Sequence, residues 1–259
     1  MVPKIIHYCW FGNNPIPEKY QEYIAGWKKM MPDYTFKCWN ESDIDIENIP
    51  FAKEAYDAGK FAYVADYTRI YALYHLGGIY MDTDVKVFQS FDKFLSHRVF
   101  TSYECNVARK DVVLVSNLLT KDGDRVDKSI LRVPGCGMLS AVIGAEKGHP
   151  FIKDCLDFYN SHHFDYVFQN RLTIPVVLAL EGEKYNFKYK NKEQSLSEGI
   201  QIYDTSIFSN FHNSSASSVA IHYCDASWVK KTLFKKIKSK FYRISWLRKF
   251  VNLLFPKNI

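Results

Sequence analysis

Residues 65–88 read ADYTRIYALYHLGGIYMDTDVKVF, and the fold turns on how this stretch is divided. Phe61, Tyr63, Val64, Tyr67, Ile70, Tyr71, Leu73 and Tyr74 leave almost no polar face, which predicts a buried helix over 61–76. Gly77-Gly78 breaks it. The apolar run Ile79-Tyr80-Met81 then predicts a buried strand, and Val85-Lys86-Val87-Phe88 alternates as a strand does. Between them stands Asp82-Thr83-Asp84. Residues i and i+2 of an extended segment point the same way, so both carboxylates are expected to project together from a strand end. Mg²⁺ and Mn²⁺ take carboxylate ligands alongside phosphate oxygens and water.

The triplet pattern alone says little, because the chain contains two more. Asp43-Ile44-Asp45 and Asp122-Gly123-Asp124 lie among polar, loop-like residues and are expected to be solvated turns. Asp66 and Arg69 carry a second signal. They are three apart on the helix, hence on one face, and a buried Asp and Arg need partners. An intrahelical ion pair would satisfy them in part. A ligand rich in hydroxyls and phosphate would satisfy both.

Moving outward, Ile5–Phe11 reads as a first buried strand and Pro17–Met31 as a helix with Pro at its start. Tyr34–Trp39 reads as a strand and Phe51–Gly59 as a helix. His149-Pro150 opens a helix running through Asp154 to Tyr159. Strand and helix patterns alternate, which predicts a layered α/β domain.

ADYTRIYALYHLGGIYMDTDV resembles the core motif of the glycosyltransferases with a DXD sugar-binding region. That family includes bacterial capsule and lipopolysaccharide sugar transferases, with yeast initiating mannosyltransferases and clostridial glucosylating toxins as more distant kin. Three further segments are similar to family segments: IIHYCWFG at 5–12, GAEKGHP at 144–150 and IHYCDASW at 221–228. The resemblance implies a GT-A-type (Rossmann-like) α/β domain over residues 1–228. It also implies a retaining, metal-dependent hexosyltransferase using Mn²⁺ or Mg²⁺ and a nucleotide-sugar, with UDP-hexose as the expected donor. Asp84 is expected to ligate the metal and Asp82 to bridge sugar or ribose hydroxyls and the metal shell. Asp66 would hold the donor sugar, and Arg69 would balance phosphate charge. By the same resemblance Trp10 would stand beside the base, His222 near the metal, and Ser227 and Trp228 over the diphosphate. Thr173-Ile174-Pro175 departs from the Thr-Gly-Pro-like segment of relatives. The expected acceptor is a growing capsule or lipopolysaccharide oligosaccharide, lipid-linked. Two other readings use the same residues: a sugar-phosphate transferase, and a non-catalytic membrane-bound binder or scaffold on a transferase fold.

Composition sets limits on the class. A chain of 259 residues suits one domain. The six cysteines are scattered without a CxxC pair, which argues against zinc and gives no disulfide framework. With no signal-peptide pattern, this predicts reduced thiols and a cytoplasmic protein. From Trp228 to Ile259 there are ten Lys or Arg and no Asp or Glu, so the chain's +6 leaves −4 for residues 1–227. Leu233, Ile237, Phe241, Ile244, Leu247, Val251 and Leu254 recur at spacings of three and four within this basic segment. Residues 229–259 are therefore expected to be an amphipathic helix lying on an anionic membrane, on the inner face of the plasma membrane. The segment is too charged to span a bilayer. The basic run is accompanied by no nucleic-acid-binding motif, so no nucleic-acid partner is expected.

Overall fold

The computed structural model describes residues 1–225; Ser227, Trp228 and the basic tail expected at 229–259 lie outside the described residues. Met1–Cys224 is one compact unit. Strand β1 (Ile5–Cys9) is paired in parallel with β2 (Thr35–Trp39) on one side and β3 (Gly78–Met81) on the other. Helix α1 (Glu18–Met30) connects β1 to β2, and α2 (Pro50–Asp57) and α3 (Phe61–Leu76) lead on to β3. The alternation expected from sequence is thus present, with α3 bounded as predicted. Several bounds shift by a residue or two, and two of the shifts have a clear cause. β1 ends at Cys9 rather than Phe11: Trp10 N–H still reaches Trp39 O at 2.9 Å, and the chain then leaves the sheet. Pro17 caps α1 instead of entering it; its backbone is extended, and its carbonyl accepts from Tyr20 and Gln21 N–H.

Beyond β3 the sheet becomes mixed. The later elements are β4 (Val85–Val87), β5 (Val99–Cys105), α4 (Val112–Leu118), β6 (Cys136–Met138) and β7 (Val142–Ala145). They are followed by α5 (Pro150–Ser161), α6 (Phe164–Gln169), α7 (Ile174–Gly182), β8 (Gln194–Ser195) and β9 (Ile200–Tyr203). β10 (Phe208–Asn210) and β11 (Ala220–His222) complete the unit. Among the described residues the main sheet runs β2-β1-β3-β7-β5-β9-β8, with β6 paired to β5. A small second sheet runs β10-β11-β4. The strand alternation of β3 divides the core: Ile79 and Met81 pack with Trp27 and Met31 of the α1 layer, while Tyr80 packs with α2, α3, α5 and α7. Each large side chain removed from water in this way stabilises the fold by roughly 1.5–3 kcal/mol.

The Gly77-Gly78 junction fixes how α3 meets β3. Both residues have positive φ, and a Cβ on Gly78 would lie 2.6 Å from Ile5 O and 3.0 Å from His7 Nε2. His7 itself is oriented by Trp39 Nε1–H, which donates to Nδ1 at 3.1 Å, so that Nε2–H donates to Gly77 O at 2.8 Å. Burial holds the pKa of this neutral imidazole below its ordinary value. Gly78→Ala must strain the backbone and push β1 away, at a cost of at least about 2 kcal/mol. Urea unfolding should show the lowered midpoint; an unchanged midpoint would contradict this account of the junction.

Candidate active site

The site lies where β1 and β3 end, the carboxyl edge at which open α/β sheets take ligands. Asp82 follows β3 directly, and its N–H donates to Ala141 O at 3.0 Å. The expectation of an extended Asp82-Thr83-Asp84 needs correction: these residues form a tight turn between β3 and β4, closed by Val85 N–H to Asp82 O at 3.0 Å. The two carboxylates are brought together by this turn and not by strand periodicity. Trp27 Nε1–H donates to Val85 O at 2.9 Å and pins the far end of the turn to α1.

β4 pairs with β11 in antiparallel register, with His222 opposite Val85. That register sets His222 Nε2 3.1 Å from Asp84 Oδ1 and 3.7 Å from Asp82 Oδ2. One ligand atom from each of Asp82, Asp84 and His222 lies within 4.8 Å of the others. Burial opposes a charged His222, but the charge and hydrogen bond of Asp84, with Cys224 Sγ at Nδ1, raise its pKa well above the ordinary value. Two carboxylates and one imidazole nitrogen fit a six-coordinate divalent ion of the Mn²⁺ or Mg²⁺ kind, whose remaining positions go to phosphate or water oxygens. They do not make the closed four-ligand set of a structural zinc site.

Asp66 and Arg69 close the other flank. Arg69 Nη2 donates to Asp66 Oδ1 at 2.8 Å and lies 3.3 Å from Asp82 Oδ1, while Nη1 donates to Ser140 O at 2.8 Å. Its guanidinium carbon stands 4.3 Å from the centre of the Tyr80 ring, and Tyr80 O–H donates to Asp82 Oδ1 at 3.1 Å. Arg69 thus ties the helix pair to the Asp-x-Asp turn, and its buried Nε–H has no hydrogen-bond partner among the described residues. Burial, aided by the charge of Asp82, raises the Asp66 carboxyl to about 7 against the pull of Arg69 and of the Ile174 N–H at the start of α7. The Thr173-Ile174-Pro175 segment therefore meets the site through its backbone.

Trp10 stands just past the end of β1, next to Cys9, on which the charges of Arg69 and Asp82 act. Its ring contacts Tyr20, and its Nε1–H donates to Asn14 O at 2.6 Å. Hence Asp66, Arg69, Asp82, Asp84 and His222 are brought together, Trp10 follows β1 with its ring against Tyr20, and Ser227 and Trp228 fall outside the described residues. The other two triplets are turns, as expected. Asp43 accepts from Lys37 and from Asn40 N–H, Asp124 pairs with Lys188, and Asp122 is exposed.

Sequence reasoning missed Tyr80, the Ser140 carbonyl and Glu104. Glu104 is the penultimate residue of β5, and its charge interacts with His222, Asp82 and Arg69; burial pushes its carboxyl above the ordinary range, against the pull of His222 and of the Asn106 amide. A Glu at the end of a strand carries no local mark of such a place. Only the pairing of distant strands reveals it.

Residues 17–101 match the family described as a glycosyltransferase sugar-binding region containing a DXD motif. The inositol phosphoceramide mannosyltransferase 3 of Schizosaccharomyces pombe is 26% identical over 187 residues, covering 69% of this chain and 44% of its own length. Mannosyltransferase 2 of the same name and yeast is 32% identical over 121 residues, covering 45% of this chain and 33% of its own. The chain spans less than half the length of these curated relatives. Among solved structures, PaToxG glycosyltransferase superposes with a TM-score of 0.51 at 19% identity, covering 71% of this chain and 69% of that one. Residues 17–101 are therefore similar to a glycosyltransferase sugar-binding region of the DXD type, and the chain has a fold of the GT-A type.

Proposed function

We propose that this chain is a metal-dependent glycosyltransferase that moves a hexose from a UDP-hexose to an oligosaccharide acceptor, with the anomeric configuration retained. The observation that carries this reading is the meeting of Asp82, Asp84 and His222 within 4.8 Å, beside a buried Asp66–Arg69 pair, at the carboxyl edge of the sheet. A divalent ion held there would neutralise the charge growing on the leaving diphosphate. The protein's own groups do the rest. Asp82 and Asp84 would fix the ion's place, and the β4–β11 register holds His222 against them. Arg69 keeps Asp66 and Asp82 apart and compensates both charges. Asp66 faces the donor sugar as a hydroxyl partner. Retention, which the family resemblance implies, would have the acceptor hydroxyl attack from the leaving-group side and pass its proton to the departing phosphate.

The names of the yeast relatives, which act on inositol phosphoceramide, support a lipid-linked acceptor, and a growing capsule or lipopolysaccharide chain is the acceptor proposed here. The basic, apolar-patterned sequence of 229–259 supports attachment to the anionic inner face of the plasma membrane, each basic residue adding about 1 kcal/mol near such a surface. No described helix is long and apolar enough to cross a membrane. Flotation with anionic vesicles should carry the full chain and leave behind a chain ending at residue 228. Equal flotation of both would refute the placement. The reaction itself is tested by incubating the chain with UDP-hexoses, a lipid-linked oligosaccharide acceptor and Mn²⁺. Free UDP and an extended acceptor are expected. UMP would mark a sugar-phosphate transferase, and neither product a binder.

A further inference from the structure

Glu104 stands at the site without belonging to the metal cluster. The alternation of β5 sets Phe100, Ser102 and Glu104 on one face. Phe100 packs on Phe208 of β10, with ring centres 5.7 Å apart, and Ser102 Oγ accepts from Phe208 N–H at 3.1 Å. Glu104, next along that face, therefore points toward the β10–β11 sheet that carries His222. Side chains fasten it there. Asn106 Nδ2 donates to Glu104 Oε1 at 2.8 Å, and Asn210 Nδ2 donates to Asn106 Oδ1 at 2.8 Å. Asn210 is the register partner of His222. The charges of His222, Asp82 and Arg69 all act on Glu104. Yet the grouping of ligand atoms within 4.8 Å contains Asp82, Asp84 and His222 and not Glu104.

A carboxylate held one layer beyond the metal ligands, with one oxygen fixed by an amide, faces whatever is joined to a metal-bound diphosphate. Resting on the transferase reading above, we infer that Glu104 Oε2 accepts a hydrogen bond from a hydroxyl of the donor hexose, and that the Asn106–Asn210 pair positions it to select the sugar. Asp66 grips the sugar from the helix side and Glu104 from the sheet side. Neighbouring negative charge makes a hydroxyl a better partner for Glu104 than a phosphate oxygen.

The test is calorimetric binding of UDP and of UDP-hexoses in Mn²⁺, to the full chain and to its Glu104→Gln and Asn106→Ala variants, with thermal melting to confirm folding. Glu104→Gln should weaken the preferred UDP-hexose at least tenfold and change UDP less than twofold. Asn106→Ala should act in the same direction with smaller effect. A series of deoxy donors then locates the hydroxyl: its removal should weaken wild-type binding and leave the Glu104→Gln variant nearly unaffected. Wild-type-like affinity of Glu104→Gln for UDP-hexose would overturn the inference. So would equal weakening of UDP and UDP-hexose, which would assign Glu104 to the diphosphate site. If the unaltered chain bound UDP but no UDP-sugar, the inference would fail while the metal–nucleotide site stood. If it bound no nucleotide at all, the transferase reading would fall with it.

Discussion

Asp84→Asn is expected to lower sugar transfer by about 10³-fold, equivalent to roughly 4 kcal/mol of transition-state stabilisation, while the protein still folds. Asp84 is buried, and its Oδ1 lies 3.1 Å from His222 Nε2. The amide keeps the shape and the hydrogen-bonding oxygen but not the charge on which a hard cation depends. Donor hydrolysis without acceptor should fall in parallel, because the same diphosphate leaves in both reactions. Asp82→Asn should be milder toward metal and harsher toward structure, since Asp82 also receives Tyr80 O–H and faces Arg69. Metal titration followed by Mn²⁺ paramagnetic broadening separates the two. A variant Asp84→Asn with native turnover would remove Asp84 from the metal site.

The second large effect concerns stability as well as activity. Arg69→Met should cost about 3–5 kcal/mol, the usual consequence of leaving a buried carboxylate without its partner. Here two carboxylates, Asp66 and Asp82, share that one guanidinium. Arg69→Lys keeps the charge but cannot span Asp66, Asp82 and Ser140 O with one planar fork, so an intermediate loss is expected. Pairing Arg69→Met with Asp66→Asn should recover part of the stability in urea unfolding and none of the transfer. If the double variant were no more stable than Arg69→Met, the Asp66–Arg69 contact would not be the coupling described here.

The sequence was most informative where local pattern and burial agree. Helix α3 ends as its apolar residues predict, because Gly77-Gly78 admits a backbone that other residues resist. The i, i+3 spacing of Asp66 and Arg69 became a real 2.8 Å pair. Asp82 and Asp84 do converge, though by a turn, since Val85 N–H closes back on Asp82 O before the next strand begins. His222 was approached through its resemblance to a family segment; what holds it at Asp84 is the β4–β11 register, a pairing between residues more than 130 apart. Glu104 was illegible for the same reason. Its importance comes from Asn106, Asn210 and the direction of β10, and none of these leaves a periodic trace in the strand that carries it. Mixed pairing beyond β3 also hides the sheet order, because strand pattern shows which face is buried and not which neighbour is chosen.

Asp82, Asp84 and His222 are proposed as the residues that would hold a divalent ion while the chain cleaves a nucleotide-sugar between sugar and diphosphate. The direct measurement is the nucleotide released from a panel of UDP- and GDP-sugars, in Mn²⁺ and in EDTA, by the full chain and by Asp84→Asn. Nucleoside diphosphate is expected from at least one donor, abolished by EDTA, restored by added Mn²⁺, and lost in the variant. Nucleoside monophosphate as the product, or diphosphate release that persists undiminished in EDTA, would contradict it.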